Sequence, residues 1–302
     1  MTRLKDELHE VWQLGGLSIT QLVKRVAHEI VADDITGYAA QLAYYFLFSL
    51  FPFLLFLTAL LGYVPIPNLM EKIMALVGAV LPGAALQLME DNVRELITNQ
   101  KSGLLSFGIL VALWSASSAI SAISDALNRA YGVKEGRPYW KVQGTAILLT
   151  LGLAFFAPTA MILLIFGPQI GGFIAGKVGL GSVFHIFWEV VRWPVILFFL
   201  TFTMALLYYF TPDVEQDWKW ITPGAVFTVI GWILVSLGFG FYVDHFGAYN
   251  KTYGTIGAVI ILLTWMYLSG MLLLIGGEIN AEIEHASASG KDPGEKKVHR
   301  EN

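Results

Sequence analysis

Apolar residues run almost unbroken through six stretches, at about 40 to 63, 104 to 124, 143 to 166, 184 to 210, 222 to 243 and 254 to 277. Each holds about 20 residues or more, and at about 1.5 Å per residue such a length crosses a hydrocarbon core of about 30 Å. Lipid offers no hydrogen-bond partner, so a spanning segment is an α-helix or a strand of a closed barrel, and these runs are about twice the length of a barrel strand. The pattern predicts an all-α fold: a polytopic membrane helical bundle with six transmembrane helices over residues 39–284.

The intervening stretches read differently. Residues 1–38 form a cytoplasmic arm in which Ile19, Leu22, Val23, Val26 and Ile30 share one helical face while Lys24, Arg25, His28 and Glu29 take the other, the pattern of an interfacial amphipathic helix. After Pro65 and Pro67, the segment 68–100 carries two short apolar sets separated by Pro82, which predicts a short outer-face helical hairpin. Gly167 to Ser182 reads as a glycine-rich loop, and Thr222 with Pro223 as the N-cap and first-turn proline of the fifth helix. Residues 285–302 are small, polar and charged, so a disordered cytoplasmic tail is expected. No internal repeat is evident.

Composition agrees with the membrane reading: 56% of residues are hydrophobic and 14% charged, against about 25% charged in a soluble domain. The absence of cysteine rules out disulfides and thiolate metal sites. A formal charge of -4 argues against a nucleic-acid partner, which needs a basic face. Thirteen Lys and Arg residues fall in the arm, the 125–142 loop, Lys219 and the tail, and five on the opposite side, so the positive-inside rule places both termini in the cytoplasm. The first 35 residues show no cleavable secretory signal, and the first span is expected to act as the insertion signal.

Polar residues inside the spans are the candidates for chemistry. Ser118, Ser121, Asp125 and Asn128, spaced 3, 4 and 3 apart, form one stripe of the second span, suited either to close helix packing or to lining a polar cavity. Glu189 and Arg192 sit three apart in the fourth span, where an ion pair would reduce the cost of burying either charge. Tyr44 and Tyr45 suit an interfacial belt. Where the sixth helix turns polar, Glu278, Asn280 and Glu282 with Arg129 of the second span make a cytoplasmic-end cluster, in which Glu278 and Glu282 have Arg129 or Lys134 as expected partners. The six histidines never pair at metal-ligand spacing, and GxxxxGK[ST], GxSxG and HExxH are absent. No catalytic residue, metal or cofactor is expected, and the chain does not read as an enzyme.

Four segments carry a resemblance: AAQLAYYFLFSLFPFLLFL (39–57), SAISDALNRAYGVKEGRPYWK (121–141), FTPDVEQDWKWITPGA (210–225) and YGTIGAVIILLTWMYLSGMLLLIGGEINAEIE (253–284). In these the chain resembles the YihY/BrkB family of bacterial inner-membrane proteins, formerly labelled ribonuclease BN-like. The resemblance implies a multi-pass protein of the inner (cytoplasmic) membrane with both ends in the cytoplasm. The leading expectation is a transporter of an unidentified small or lipidic solute, with Ser118, Ser121, Asp125, Asn128, Glu189 and Arg192 lining its cavity. The alternative is a non-transporting scaffold or envelope-assembly factor. The expected partners are membrane lipids, the solute, and a second copy of the chain or envelope proteins; ribonuclease activity is not expected, because a basic track for RNA is missing.

Overall fold

The computed structural model describes residues 14–61, 102–178, 181–246, 249–287 and 289–297. Among these residues the chain is all-helical, with no strand. A 3-10 turn, Leu14–Gly16, precedes α1 (Ile19–Ala32), α2 (Ile35–Leu61), α3 (Ser102–Ala130), α4 (Tyr139–Val178), α5 (Gly181–Phe210), α6 (Trp218–Phe246) and α7 (Tyr249–Ala286). The expected hairpin at 68–100 lies outside the described residues.

Among the described residues, three helices are long and apolar enough to cross a membrane, over Phe187–Phe210, Trp218–Val243 and Val259–Ala286. Their surfaces support that reading. On α6, Ile230, Leu234, Leu237 and Phe241 are each more than half exposed, and their 4, 3, 4 spacing puts them on one face. A continuous apolar ridge of this kind is unstable against water and suited to lipid.

Contacts divide the chain into two compact units. One comprises Met1–Tyr38, Ile120–Leu234 and Met271–Asn302, the other Ala39–Ala119 and Val235–Gly270. In the second unit, the Trp265 indole N–H donates to the Ser236 hydroxyl at 3.2 Å. Gly270 packs against Leu42, while Tyr44 stacks on Phe48 with both rings exposed.

Among the described residues, most of the buried polar groups lie in the first unit. α1 starts with a reciprocal capping box between Ser18 and Gln21. The apolar face expected to lie in the membrane interface is divided: Leu22 and Val26 pack on Trp220 and Ile283, whereas Ile19 and Val23 stay exposed. Trp220 and Ile283 present an apolar surface that α1 covers, so half of its face is spent on tertiary packing.

Three boundaries differ from expectation. α4 continues through the predicted loop to Val178, because its glycines serve contact with α5: the Trp188 indole donates to the Gly167 carbonyl at 2.6 Å and fills the space where a Cβ on Gly171 would lie. α6 begins at Trp218, a turn before Thr222, and contains Pro223; the Thr222 hydroxyl donates to the Trp218 carbonyl rather than capping. The tail, expected to be disordered from 285, is folded as far as Lys297. Lys291 is buried, ion-paired with the buried Glu284, and donates to the Glu215 carbonyl at 2.7 Å. An unpaired charge at either position would be costly to bury, so the pair holds the segment in place.

α6 and α7 meet through glycine. A Cβ on Gly224 would strike the Gly276 carbonyl and the Asn280 amide, whose oxygen accepts from the Gly224 N–H at 2.7 Å. One turn away, the buried Tyr208 hydroxyl donates to the Leu273 carbonyl at 2.6 Å and lies 2.7 Å from the Thr228 hydroxyl. Gly224→Ala is expected to lower stability by about 1–3 kcal/mol through overpacking, read as a lower melting temperature in detergent. Lys291→Ala is expected to cost about 3–5 kcal/mol by stranding Glu284, read as faster protease cleavage within 289–297.

Candidate functional site

One group of polar residues in the first unit converges on Arg137, in the loop between α3 and α4. Its guanidinium grips Glu135 with two nitrogens, Nε to Oε1 at 2.9 Å and Nη2 to Oε2 at 2.7 Å. Nη2 also donates to the Thr211 carbonyl at 2.7 Å and the Ser124 hydroxyl at 3.1 Å, and Nη1 to the Phe210 carbonyl at 3.3 Å. Phe210 ends α5, so these acceptors belong to the carbonyls that a helix leaves unsatisfied, and a cation there also complements the helix dipole.

Ser124 and Asn128, one turn apart on α3, brace the same hub. The Ser124 hydroxyl donates to the Thr211 carbonyl at 2.6 Å. The Asn128 amide donates to Glu135 at 3.0 Å, and its oxygen accepts from the Asp213 N–H at 2.7 Å. Asp213 in turn accepts from the Gly136 N–H at 2.9 Å, lies 3.6 Å from Arg137 and pairs with Lys296. Burial would raise the Glu135 carboxyl, but the bonds from Arg137 and Asn128 outweigh it and hold the group down at about 2, with Arg137 raised in turn by the same pairing.

Two spaces share the walls of Arg137 and Thr145. The inner one has room for about one water molecule and is lined by Ser121, Ser124 and Thr211 with Ile120, Val142 and Ala146. The outer one is an open cleft of about 360 Å³ with a charged rim of Asp213, Glu215, Lys296 and Lys297 and a wall of Tyr209, Phe210, Pro212 and Val214. From that wall, aromatic rings continue: Tyr209 stacks on Trp218 at 4.8 Å between centroids, Trp218 on Phe202 at 6.0 Å, and Phe202 on Phe198 at 5.7 Å.

The six cavity residues expected from sequence do not form one site. Ser118 bonds within its own helix, to the Trp114 carbonyl at 3.1 Å. Ser121 lines the inner space, Asn128 joins the hub, and Asp125 points outward, exposed. Glu189 and Arg192 form the expected i, i+3 pair at 2.7 Å, with Arg192 stacked over Trp193 at 5.4 Å. They occupy the opposite end of α5 from Phe210, about 27 Å along the axis at 1.5 Å per residue, and so cannot face the hub.

The polar end of α7 also chooses different partners. Glu282 pairs with Arg25 of α1 at 3.4 Å rather than with Arg129 or Lys134, and Arg129 lies over the Tyr38 ring at 5.4 Å. Asn280 serves the Gly224 contact, while Glu278 is buried. Arg137, Glu135, Ser124, Thr211 and Asp213 were not singled out by sequence reasoning. A signal was present: Arg137 lies in the GVKEGRPYWK segment that carries the resemblance.

The sequence profile of the family described as Virulence factor BrkB matches residues 26–301. The chain belongs to the BrkB family. This agrees with the landmarks in the 121–141 and 253–284 segments. Among BrkB relatives, the ribonuclease-like protein YfkH of Bacillus subtilis (strain 168) is 42% identical over 243 residues, covering 80% of this chain and 88% of the relative. A UPF0761 membrane protein of Pseudoalteromonas atlantica is 27% identical over 272 residues, covering 87% and 85%. Another, from Psychrobacter sp. (strain PRwf-1), is 29% identical over 263 residues, which are 83% of this chain and 46% of that protein. No solved structure matches this BrkB chain.

The hub sets a pH dependence. Glu135 titrates at about 2 in the folded chain against an ordinary 4.5, so the unfolded chain binds more protons between those values. The contribution of Glu135 to stability is complete above the ordinary value and is lost as pH falls to about 2. Glu135→Gln is expected to melt below the wild type at neutral pH, with the gap closing as pH falls through this window, as followed by tryptophan fluorescence.

Proposed function

We propose that this membrane protein moves a lipidic solute with a charged headgroup between the two sides of the bilayer, working as a six-span protein of the bacterial inner membrane with both ends in the cytoplasm. The observation that carries the reading is the open cleft beside Arg137. Its rim mixes two lysines and two carboxylates above Arg137, and its wall of Tyr209 and Phe210 leads into the ladder of Trp218, Phe202 and Phe198. A charged rim joined to an apolar, aromatic track suits an amphiphile, because headgroup and chain each find their own solvent.

Lys296 and Lys297 are the headgroup contacts that can be changed without removing a bond made by Arg137 itself. Each holds a carboxylate, Asp213 and Glu215 respectively, and the Lys297 pair is largely exposed, so the lysines can exchange partners when a phosphate arrives. Arg137 stays fixed by its helix-end bonds and defines the floor. The ribonuclease-like name belongs to the Bacillus relative; the cleft here has paired cations around a small volume rather than an extended basic track.

The test is reconstitution in liposomes carrying a fluorescent phospholipid, with a membrane-impermeant quencher reading its passage between leaflets. The wild type is expected to accelerate exchange over empty liposomes, and Lys296→Gln with Lys297→Gln to slow it about fivefold. Exchange no faster than in empty liposomes, together with stable co-purification of envelope proteins, would favour the scaffold reading instead.

A further inference from the structure

We propose that Glu278 is a proton-binding site: a carboxylic acid at the polar end of α7 that takes up and releases one proton where α1 packs against that helix. Glu278 is 1% exposed, and neither of its carboxylate oxygens has a hydrogen-bond partner. An ionised carboxylate in that position would have lost its water without gaining a donor or a counter-ion, which is among the most expensive arrangements a protein can hold.

The charged neighbours make matters worse for the anion. Glu29 on α1, Asp33 at its C-cap and Glu282 one turn further along α7 all act on Glu278 with the same sign. The nearby cations are committed elsewhere, Arg25 to Glu282 and Arg129 over the Tyr38 ring, from where it acts on Asp33. From the α3–α4 loop the Tyr131 phenol faces the same interior and supplies no charge. A metal ion is a poor alternative, since among the described residues no three His, Cys, Asp or Glu side chains are grouped to hold one.

One proton resolves the conflict. A carboxylate oxygen of Glu278 forms an O–H bond with a proton from hydronium or buffer, no electrons are transferred, and the acid is neutral inside its packed surroundings. Glu282 and Asp33, both less buried and both acting on Glu278, are carboxylates that can pass the proton towards water. Losing the proton places a further negative charge beside Glu29 and Asp33, which favours separating α1 from α7. The contact of Leu22 and Val26 with Ile283 holds the same two helices together, so proton binding and docking of α1 are linked. The inference is independent of the solute.

Infrared spectroscopy of the full chain in lipid nanodiscs tests it, with carboxyl-labelled glutamate to separate Glu from Asp. The wild type is expected to show a protonated-carboxyl C=O band at neutral pH that disappears on alkaline titration, and Glu278→Gln to lack it while Glu282→Gln retains it. Glu278→Gln, which copies the neutral acid, should melt at or above the wild type and lose the wild type's alkaline fall in melting temperature. Absence of the band in neutral wild-type protein overturns the proposal, as does a band unchanged by Glu278→Gln or one that sodium or potassium ions abolish. The wild-type titration stands alone if Glu278→Gln does not fold.

Discussion

Carbonyls at the end of a helix need donors from outside it, and in this chain Arg137, helped by Ser124, supplies them where α5 ends. Arg137 reaches the carbonyls of Phe210 and Thr211 while Glu135 fixes its other edge. Because Ser124 and Asn128 bond to the same group of atoms, the end of α3, the loop before α4 and the turn after α5 are positioned together. The cleft and the water-sized space beside it exist because that arginine is held still between them.

The polar end of α7 follows the same rule under greater stress. Lys291 enters from the tail to neutralise Glu284, and Asn280 spends its oxygen on the glycine contact with α6. Glu278 receives no such partner. Two buried carboxylates six residues apart on α7 therefore solve one problem in different ways, Glu284 by a lysine and Glu278 by a proton. The first solution is structural and permanent, whereas the second is reversible and leaves the α1 contact responsive to its surroundings.

How much was legible in the sequence depends on the range of the interaction. The Glu189–Arg192 pair could be read directly because i, i+3 spacing on one helix brings the groups together whatever the rest of the chain does. The stripe of α3 was visible as a stripe, but its members met different neighbours: Asn128 faces the Asp213 turn and Asp125 faces outward. Arg137 looked like one more positive charge in a basic loop, since its partners Thr211 and Asp213 lie more than seventy positions away. The glycine-rich 167–182 segment read as a loop because the indole that fills its surface comes from α5. The tail read as disordered because its anchor is a single lysine whose counter-charge sits on another element.

The linear order of apolar residues determined the solvent and the fold class, because a run of about 20 apolar residues cannot satisfy its backbone in lipid except as a helix. It also determined family membership, through the polar landmarks between those runs. Only the tertiary structure decided which charges meet, which carboxylate is left without a partner, and where a cleft opens. Those outcomes depend on side chains brought together from distant positions, and the cost of burying a charge is set by the neighbours that the fold supplies.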